Sequence, residues 1–342
     1  MSTPNTKQSY KQIILEFIKD NYEVSPIEII TKTGISQQTV HNNLKVLIEE
    51  HLISKKGNGL NVSYSFNSVV YETQKEEILN IIQERLITVS QNYIFISPNG
   101  DRFNGITGLQ RFCRKNNVEF QKTLDEYIIT IAKYQKFLGK NNLIDATKKF
   151  TLTFPNYKDL EKVYYCDFYA IERFGKTKLG NLMFYGKQSQ NLKLIKEVCE
   201  IVKPNILEFI KQNNINAVAF VPPTINREVQ FMSVLQRELN LNVPIIKLKK
   251  LVNDIAVQQK TIKLADDRII NAENIVVEMN PSFKNVLILD DAVGSGSTFA
   301  VVAKKLRLKK VATGKIFAIA IVGSPNGVID DQKKGFEVIN EV

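Results

Sequence analysis

Residues 285–307 read NVLILDDAVGSGSTFAVVAKKLR and place a strand, an acidic pair, a small-residue loop and a helix in one continuous stretch. Residues 286–289 are an uninterrupted apolar run, which is typical of a strand buried on both faces in a parallel sheet. Asp290 and Asp291 follow at its carboxyl end, and the loop at 294–298 precedes the helix. Open α/β sheets hold their ligands at this edge, so the stretch predicts an α/β domain with its site here.

The chemistry of the loop and of the acidic pair restricts the ligand. Loop amides and a helix N-terminus favour a phosphate, and Ser295, Ser297 and Thr298 add hydroxyl donors. Asp290 and Asp291 would repel a bare phosphate, but they suit a ligand that also carries hydroxyl groups. A ribose 5-phosphate meets both conditions, with its phosphate in the loop and its 2′- and 3′-hydroxyls at the carboxylates.

The stretch resembles the phosphoribosyl-diphosphate (PRPP) signature of type I phosphoribosyltransferases. The strand, the acidic pair and the GSGST loop match, whereas Ala292 and Gly294 depart from the commonest form of the pattern. The resemblance implies that Asp290 and Asp291 hold the ribose as catalytic residues and that the loop holds the 5-phosphate. The PRPP-binding residues so implied are Asp290, Asp291, Ala292, Val293, Gly294, Ser295, Gly296, Ser297, Thr298, Pro223, Thr224 and Arg268.

The sequence upstream extends this resemblance. Residues 217–239, AVAFVPPTINREVQFMSVLQREL, are similar to the family's first strand and the loop that holds pyrophosphate. Residues 222–227 would be that loop, and Arg227 would be a catalytic contact to the leaving group. Residues 257–271 are similar to the Q-to-RxxN stretch of the competence-associated ComF-type subgroup, although the gap from Gln to Arg is one residue longer. The matching positions are Gln259, Arg268 and Asn271.

The family resemblance also implies a cofactor and a reaction. Mg²⁺ would bind together with PRPP, held mainly by the ligand and without a direct protein ligand. An acceptor would displace pyrophosphate at the ribose C1 atom. Lys249, Lys250 and Lys260 are candidates to face the diphosphate charge, and Tyr185 is a candidate to cover an acceptor.

Another phosphate motif is formally present at residues 170–177, AIERFGKT, which satisfy a relaxed P-loop pattern. A P-loop needs a glycine-rich turn whose amides converge on phosphate, followed directly by a helix. The residues before Gly175 are bulky, and the following KLGNLMFYG predicts a turn and a strand. We therefore reject a P-loop at this position.

The N-terminal region has its own pattern, in which three helices precede a hairpin. Residues 10–21 have an apolar helical stripe, Ser25 opens a capping box before a second helix, and Ser36 caps a third. Residues 53–66 form two strand-like runs around a glycine-rich turn. This order resembles the winged helix-turn-helix family over residues 7–67.

That resemblance implies contact with DNA or another nucleic acid. The outward face of the third helix and the hairpin supply polar and basic side chains that can reach bases and phosphates. Winged helices also serve as protein-docking modules, and this alternative stays open. Winged-helix readers usually bind as dimers, so we expect a homodimer by analogy. The candidate contacts are Gln37, Gln38, His41, Asn42, Lys45, Lys55 and Lys56.

Composition excludes several classes of protein. The chain has 342 residues, of which 44% are hydrophobic and 24% charged, which is typical of globular domains. A net charge of +11 suits a polyanionic partner. Three scattered cysteines make no disulfide framework, and two histidines, both in the first 51 residues, make no zinc cluster. Without a signal peptide or an apolar span, we expect a cytoplasmic protein with no membrane partner.

Together these observations predict three domains and leave two functions open. A winged helix occupies residues 1–70, a connector helix with a middle α+β domain 71–160, and an α/β phosphoribosyltransferase fold, a parallel sheet flanked by helices, 161–342. The first hypothesis is a nucleic-acid-binding regulator whose DNA affinity responds to PRPP with Mg²⁺ or a related ribose phosphate. The alternative is an active transferase acting on a base, nucleotide or macromolecule, including an effector of a bacterial defence module.

Overall fold

A computed structural model describes residues 9–21, 23–58, 61–67, 83–139, 141–251, 265–278, 281–326 and 328. The chain divides into two compact units, Met1–Ile87 and Thr88–Val342. Each unit has its own hydrophobic core and is described separately.

The first unit contains three helices followed by a two-stranded hairpin, as the sequence predicts. Its second helix begins at a capping box formed by Ser25 and Glu28 and ends at Gly34, whose backbone is left-handed. Ser36 caps the third helix by accepting a hydrogen bond from the Thr39 amide. The elements are α1 (Tyr10–Asp20), α2 (Pro26–Thr33), α3 (Gln37–Glu49), β1 (Ile53–Lys56) and β2 (Ser63–Phe66).

One face of each helix forms the core of this unit. Ile14 and Ile18 of α1 are fully buried, and Leu44 and Leu47 of α3 pack in the same cluster. The hairpin strands β1 and β2 pair in antiparallel fashion, and Val24 forms an isolated antiparallel bridge to Tyr64 of β2. This arrangement is a winged helix-turn-helix and confirms the fold predicted for this region.

The second unit begins with helical and hairpin elements that precede its main sheet. The predicted connector helix lies partly outside the described residues, which resume at position 83. The elements are α4 (residues 83–92, of which 88–92 belong to this unit), β3 (Ile94–Ile96), β4 (Arg102–Asn104), α5 (Gly105–Asn116), α6 (Phe120–Gln135), β5 (Ile144–Asp145) and α7 (Thr147–Thr153).

The rest of the second unit alternates strands and helices, which is the order expected of an α/β fold. The elements are β6 (Lys162–Phe168), β7 (Ala170–Ile171), β8 (Gly175–Lys176), α8 (Lys178–Gln188), α9 (Leu192–Gln212), β9 (Ala217–Phe220), α10 (Phe231–Leu239), β10 (Ile245–Ile246), β11 (Leu248–Lys250), α11 (Ala265–Ala272), β12 (Ile275–Val277), β13 (Val286–Val293), α12 (Ser297–Leu308) and β14 (Ile316–Gly323).

The main sheet of the described residues has six strands in the order β10-β9-β13-β14-β6-β5. All neighbours pair in parallel except β5, which runs antiparallel at the edge. Strand β13 is central, with Leu289 opposite Phe220 of β9 and Asp290 opposite Ala320 of β14. Strand β13 continues through the acidic pair to Val293, whereas the sequence predicts that it ends at Leu289. Because β9 ends at Phe220, opposite Leu289, the acidic pair still lies at the carboxyl edge of the sheet beside β9.

Helices cover both faces of this sheet. Alternate residues of β13 point to opposite layers, so Ile288 packs in one cluster with Phe299 of α12. Its neighbour Leu287 packs in the other cluster with Leu235 of α10. The unit is thus a three-layer α/β structure, which confirms the predicted class.

The middle region differs from the separate domain predicted for residues 71–160. Strand β5 belongs to the main sheet, because Ile144 pairs with Tyr165 of β6. Tyr127 and Phe150 lie in the same core cluster as Val286. Residues 88–160 therefore form one compact unit with the α/β sheet.

The strand predicted over residues 178–186 is wrong, because this segment is helix α8. Thr177 caps the helix, and Leu179, Leu182 and Met183 are buried on one side of it. Their spacing of three and four residues fits a helical face, which outweighs the strand preference of the aromatic residues.

The residues of the rejected P-loop pattern, 170–177, form the β7–β8 hairpin and the cap of α8. The Thr177 hydroxyl donates to the Phe168 carbonyl and accepts from the Gly180 amide. This threonine thus closes a hairpin onto a helix.

Candidate functional site

A cavity of about 550 Å³ opens at the carboxyl ends of β9, β13 and β14. Its wall contains the acidic pair, the loop at 294–298, residues 221–225, and side chains from α8, β11 and α11. The twelve residues that the resemblance implies as PRPP-binding all line this cavity, and so does Arg227. The predicted site residues therefore share one space.

The acidic pair creates an unfavourable charge at the cavity floor. Asp290 accepts a hydrogen bond of 2.8 Å from the Asp291 amide. Burial and the adjacent Asp291 charge raise the pKa of Asp290 well above its usual range, against the opposing influence of Lys187 and Lys250. A ligand that donates hydroxyl hydrogen bonds to these carboxylates would relieve part of this cost.

Lys187 is a site residue that the sequence interpretation missed. Its Nζ lies 2.5 Å from Oδ2 of Asp291, although the two residues are 104 positions apart in the chain. The Arg227 guanidinium donates a hydrogen bond to the Lys187 carbonyl. Lys187 directly follows the segment predicted as a turn and a strand, and no local motif marks it.

The loop at 294–298 joins β13 to α12 through a left-handed glycine. Gly296 has φ of 89° and is the N-cap of α12, so the N-cap residue has no side chain to cover the first amides of the helix. A Cβ at this position would lie 2.9 Å from the Phe150 ring. The Ser295 hydroxyl lies 3.2 Å from that of Ser297, and both residues are buried. This arrangement favours an anion.

Further cations surround the space between this loop and residues 222–227. Lys250 Nζ donates to Thr224 Oγ1 at 2.8 Å and to Asn271 Oδ1 at 2.9 Å. Burial lowers the pKa of Lys250, and the Asp290 charge opposes that shift. A Cβ at Gly294 would lie 3.3 Å from the Arg268 guanidinium, whose pKa burial also lowers. These groups give the cavity positive charge beside its carboxylates.

Several weaker predictions have different outcomes. Lys250 lines the cavity, whereas Lys249 is exposed and lies outside its wall. Tyr185 also lies outside the wall, which contains its neighbour Phe184 instead. The remaining two candidates, Gln259 and Lys260, lie outside the described residues.

The cavity also has an apolar wall at the side of α8 and α10. Neither a phosphate nor a ribose needs such a surface, so it leaves room for a second, less polar group. The residues of this wall include Tyr169, Met183, Phe184, Phe231 and Met232.

The donor set fits Mg²⁺ only in the company of ligand oxygens. Within the described part of the chain, no group of three or more His, Cys, Asp or Glu residues could hold a metal ion. Asp290 and Asp291 offer carboxylate oxygens, which Mg²⁺ prefers, and phosphate oxygens of a ligand would supply the rest of its coordination.

The candidate nucleic-acid face of the first unit is exposed, as predicted. The candidate side chains of α3 lie on the face opposite its buried residues Val40, Leu44 and Leu47. The candidate lysines of the hairpin lie on β1 and are exposed. Gln38 Nε2 donates to Asn42 Oδ1 at 3.3 Å, which orders that part of the surface. The exposed candidates are Gln37, Gln38, His41, Asn42, Lys45, Lys55 and Lys56.

None of the described helices combines the length and the apolar character that crossing a membrane requires.

Comparison with known proteins assigns one part of the chain. No curated protein matches it. Among solved structures, it is similar to a hypoxanthine phosphoribosyltransferase from Staphylococcus aureus at 13% identity, over 42% of this chain and 70% of that one. The TM-score of 0.23 is too low to establish a shared fold. Residues 10–54 match the family of winged helix-turn-helix DNA-binding domains, so the first unit contains a domain of that family.

Proposed function

We propose that this protein is a ligand-responsive DNA-binding protein. The winged helix binds DNA, and the second unit binds PRPP with Mg²⁺, or a related ribose phosphate, and modulates that binding. One observation carries the proposal: the acidic pair, the loop before α12 and four cationic side chains line a single cavity. The four cations are Lys187, Arg227, Lys250 and Arg268.

Each chemical part of PRPP has complementary groups in this cavity. The ribose hydroxyls donate to Asp290 and Asp291. The 5-phosphate accepts hydrogen bonds from the loop at 294–298 at the start of α12. The diphosphate faces Arg227 and Lys250, beside the loop at 222–227.

Magnesium fits this arrangement as a companion of the ligand. When bound, it would neutralise part of the diphosphate charge. Asp290 and Asp291 orient the sugar, and Lys250 is fixed against Thr224 by its hydrogen bond. These protein groups therefore position the ribose C1 atom and its diphosphate relative to each other.

Helix α8 supports a regulatory role, because it contacts both the site and the entry to the second unit. At its first residue, Lys178 Nζ donates to the Gln91 carbonyl at 3.0 Å. Gln91 belongs to the segment 88–92, by which the chain enters this unit from the winged helix. Near its other end, Lys187 pairs with Asp291. The proposal includes a homodimer, in which two winged helices read two half-sites.

The decisive experiment measures DNA affinity with and without PRPP and Mg²⁺. A DNA ligand is first selected from a random duplex pool with the full chain. We expect PRPP with Mg²⁺ to raise the melting temperature and to change DNA affinity by about fivefold or more. No melting shift at millimolar PRPP would contradict ligand binding, and a shift without any change in DNA affinity would contradict regulation.

The apolar wall of the cavity favours a second candidate, an active phosphoribosyltransferase. A planar base or another weakly polar acceptor could lie against Phe184 and Phe231 while attacking C1. The C1–oxygen bond to pyrophosphate then breaks and the acceptor–C1 bond forms. Pyrophosphate release from PRPP in the presence of a nucleobase, nucleotide or macromolecule would identify this function. Such turnover should disappear when Asp290 and Asp291 are both replaced by Asn.

A further inference from the structure

The ion pair between Lys187 and Asp291 occupies a carboxylate that the proposed ligand needs. Nζ and Oδ2 are 2.5 Å apart, and the two side chains are only 32% and 24% exposed. A pair at this depth is not freely exchanged with water, and removing one partner leaves a poorly solvated charge. A ribose hydroxyl that engages Asp291 must therefore compete with Lys187.

Lys187 also lies next to the loop proposed to hold the diphosphate. Arg227 of that loop donates to the Lys187 carbonyl. Three residues further on, the Gln190 side-chain oxygen accepts a 3.0 Å hydrogen bond from the Val229 amide. The last turn of α8 and the residue Gln190 after it are thus bonded to Arg227 and Val229, at the end of that loop and just beyond it. The backbone of Lys187 therefore contacts Arg227, while its side chain reaches Asp291.

Close packing of α8 restricts the position of the Lys187 backbone. A Cβ at Gly180 would lie 2.0 Å from the Tyr169 carbonyl oxygen, so the helix packs directly on the backbone there. At Gly186, a Cβ would lie 3.1 Å from the Ile195 side chain of α9. Lys187 follows this second close contact, so reorientation of its four-carbon stem is the available adjustment.

We propose that Lys187 makes the site selective for ribose 5-phosphates that carry a diphosphate at C1. The inference rests on the proposed function and deepens it. A ligand whose hydroxyls displace Lys187 from Asp291 releases an ammonium group beside Arg227. A diphosphate offers that ammonium a new anionic partner, whereas ribose 5-phosphate, with only a hydroxyl at C1, offers none. The first exchange keeps the charge paired, and the second leaves it unpaired.

The test compares PRPP and ribose 5-phosphate by calorimetric titration of the full chain, each with Mg²⁺. The variants are Lys187→Met, which keeps the apolar stem, and Lys187→Arg, which keeps the charge. Lys193→Met is the matched control, since Lys193 is an exposed lysine near the start of α9. Melting temperatures measured without ligand verify that all variants fold.

We expect Lys187→Met to weaken PRPP binding about tenfold or more and to leave ribose 5-phosphate binding unchanged or tighter. Lys187→Arg should restore at least part of the preference for PRPP, and Lys193→Met should match the wild type. Equal weakening of both ligands, or no change in either, would overturn the selectivity role. A wild type that binds neither ligand would instead overturn the proposed function itself, and the inference with it.

Discussion

Asp290, a residue of the proposed ligand site, opposes the stability of its own fold. Burial and the neighbouring Asp291 charge raise its pKa, while Lys187 and Lys250 act in the opposite direction. The folded state therefore keeps this proton to a higher pH than the unfolded chain does. The contribution of this proton to the free energy of unfolding is fully present below the pKa that Asp290 has in the unfolded chain. It is lost as the pH rises towards the pKa of Asp290 in the folded protein. Ionisation of Asp290 thus costs folding stability, and the residue serves a purpose other than folding.

Asp290→Asn should consequently raise the melting temperature and abolish ligand binding. The amide has nearly the shape of the carboxyl group but does not ionise, so the cost of a buried negative charge disappears. We therefore expect the melting temperature to rise by roughly 2–4 °C at pH 8 and by less at pH 5. Calorimetric melting at both pH values measures this difference. A variant that melts below the wild type at pH 8 would show that Asp290 stabilises the fold.

Ligand response provides the second measurement on the same variant. Wild-type protein should show a PRPP-dependent melting shift in the presence of Mg²⁺, and Asp290→Asn should show none. The exposed Asp101, replaced by Asn, is a matched control far along the chain. If Asp290→Asn showed the same PRPP-dependent rise in melting temperature as the wild type, the Asp290 carboxylate would not contribute to ligand binding.

At the scale of single residues, the sequence predicted what is contiguous and missed what is not. Asp290, Asp291 and the loop at 294–298 follow one another, so the spacing alone placed them at one sheet edge. Lys187 reaches the same place only through the packing of α8, from 104 positions away. A lysine between a glycine and a glutamine has no local pattern to distinguish it.

At the scale of an element, the start of α12 depends on a glycine. Gly296 combines φ of 89° with the nearby Phe150 ring. Gly296→Ala should therefore destabilise the second unit by about 1–3 kcal/mol, because both the backbone and the added methyl are strained. Gly294→Ala is the control, since only the flexible end of Arg268 approaches that position. Equal melting temperatures for the two variants would contradict this account.

The recognition helix and the hairpin of the first unit should contribute different kinds of DNA affinity. Lys55 and Lys56 are exposed on β1, where their charges can meet phosphates. Replacing each lysine by Ala should weaken binding to all DNA sequences. It should also lower the slope of the logarithm of affinity against the logarithm of salt concentration by about one per lysine. Asn42→Ala should instead weaken binding to the selected DNA sequence by about 1–3 kcal/mol, with little change in that slope.

Fluorescence anisotropy on the selected duplex and on a scrambled duplex, over a series of salt concentrations, separates these effects. Lys32→Ala, at an exposed lysine of α2 outside the predicted interface, is the control. If Asn42→Ala weakened both duplexes equally, α3 would not be the element that reads sequence.

Prediction of elements succeeded where caps and periodicity agreed and failed where only composition was available. Ser25, Glu28 and Gly34 fixed both ends of α2 in advance. Residues 178–186 are rich in large apolar side chains, and their helical spacing was outweighed by aromatic content. Strand β5 has two residues, and its place in the main sheet depends on pairing with β6, which no local pattern encodes.

At the scale of the whole molecule, regulation requires that ligand and DNA affinities be linked. If PRPP changes DNA affinity by some factor, DNA must change PRPP affinity by the same factor. Titrating PRPP into the protein alone and into its DNA complex measures the second factor. A PRPP affinity that is the same for the free protein and for its DNA complex would contradict regulation by PRPP.

The contact between Lys178 and Gln91 gives this linkage a structural test. It joins the start of α8 to the segment by which the chain enters the second unit. Lys178→Met should leave the affinity for PRPP without DNA, and for DNA without PRPP, within about twofold of the wild type, because Lys178 is absent from the cavity wall. The factor by which each ligand changes the affinity for the other should fall towards one, because the hydrogen bond between α8 and Gln91 is lost. Lys193→Met again serves as the control. Undiminished coupling in Lys178→Met would mean that the communication runs through another part of the second unit.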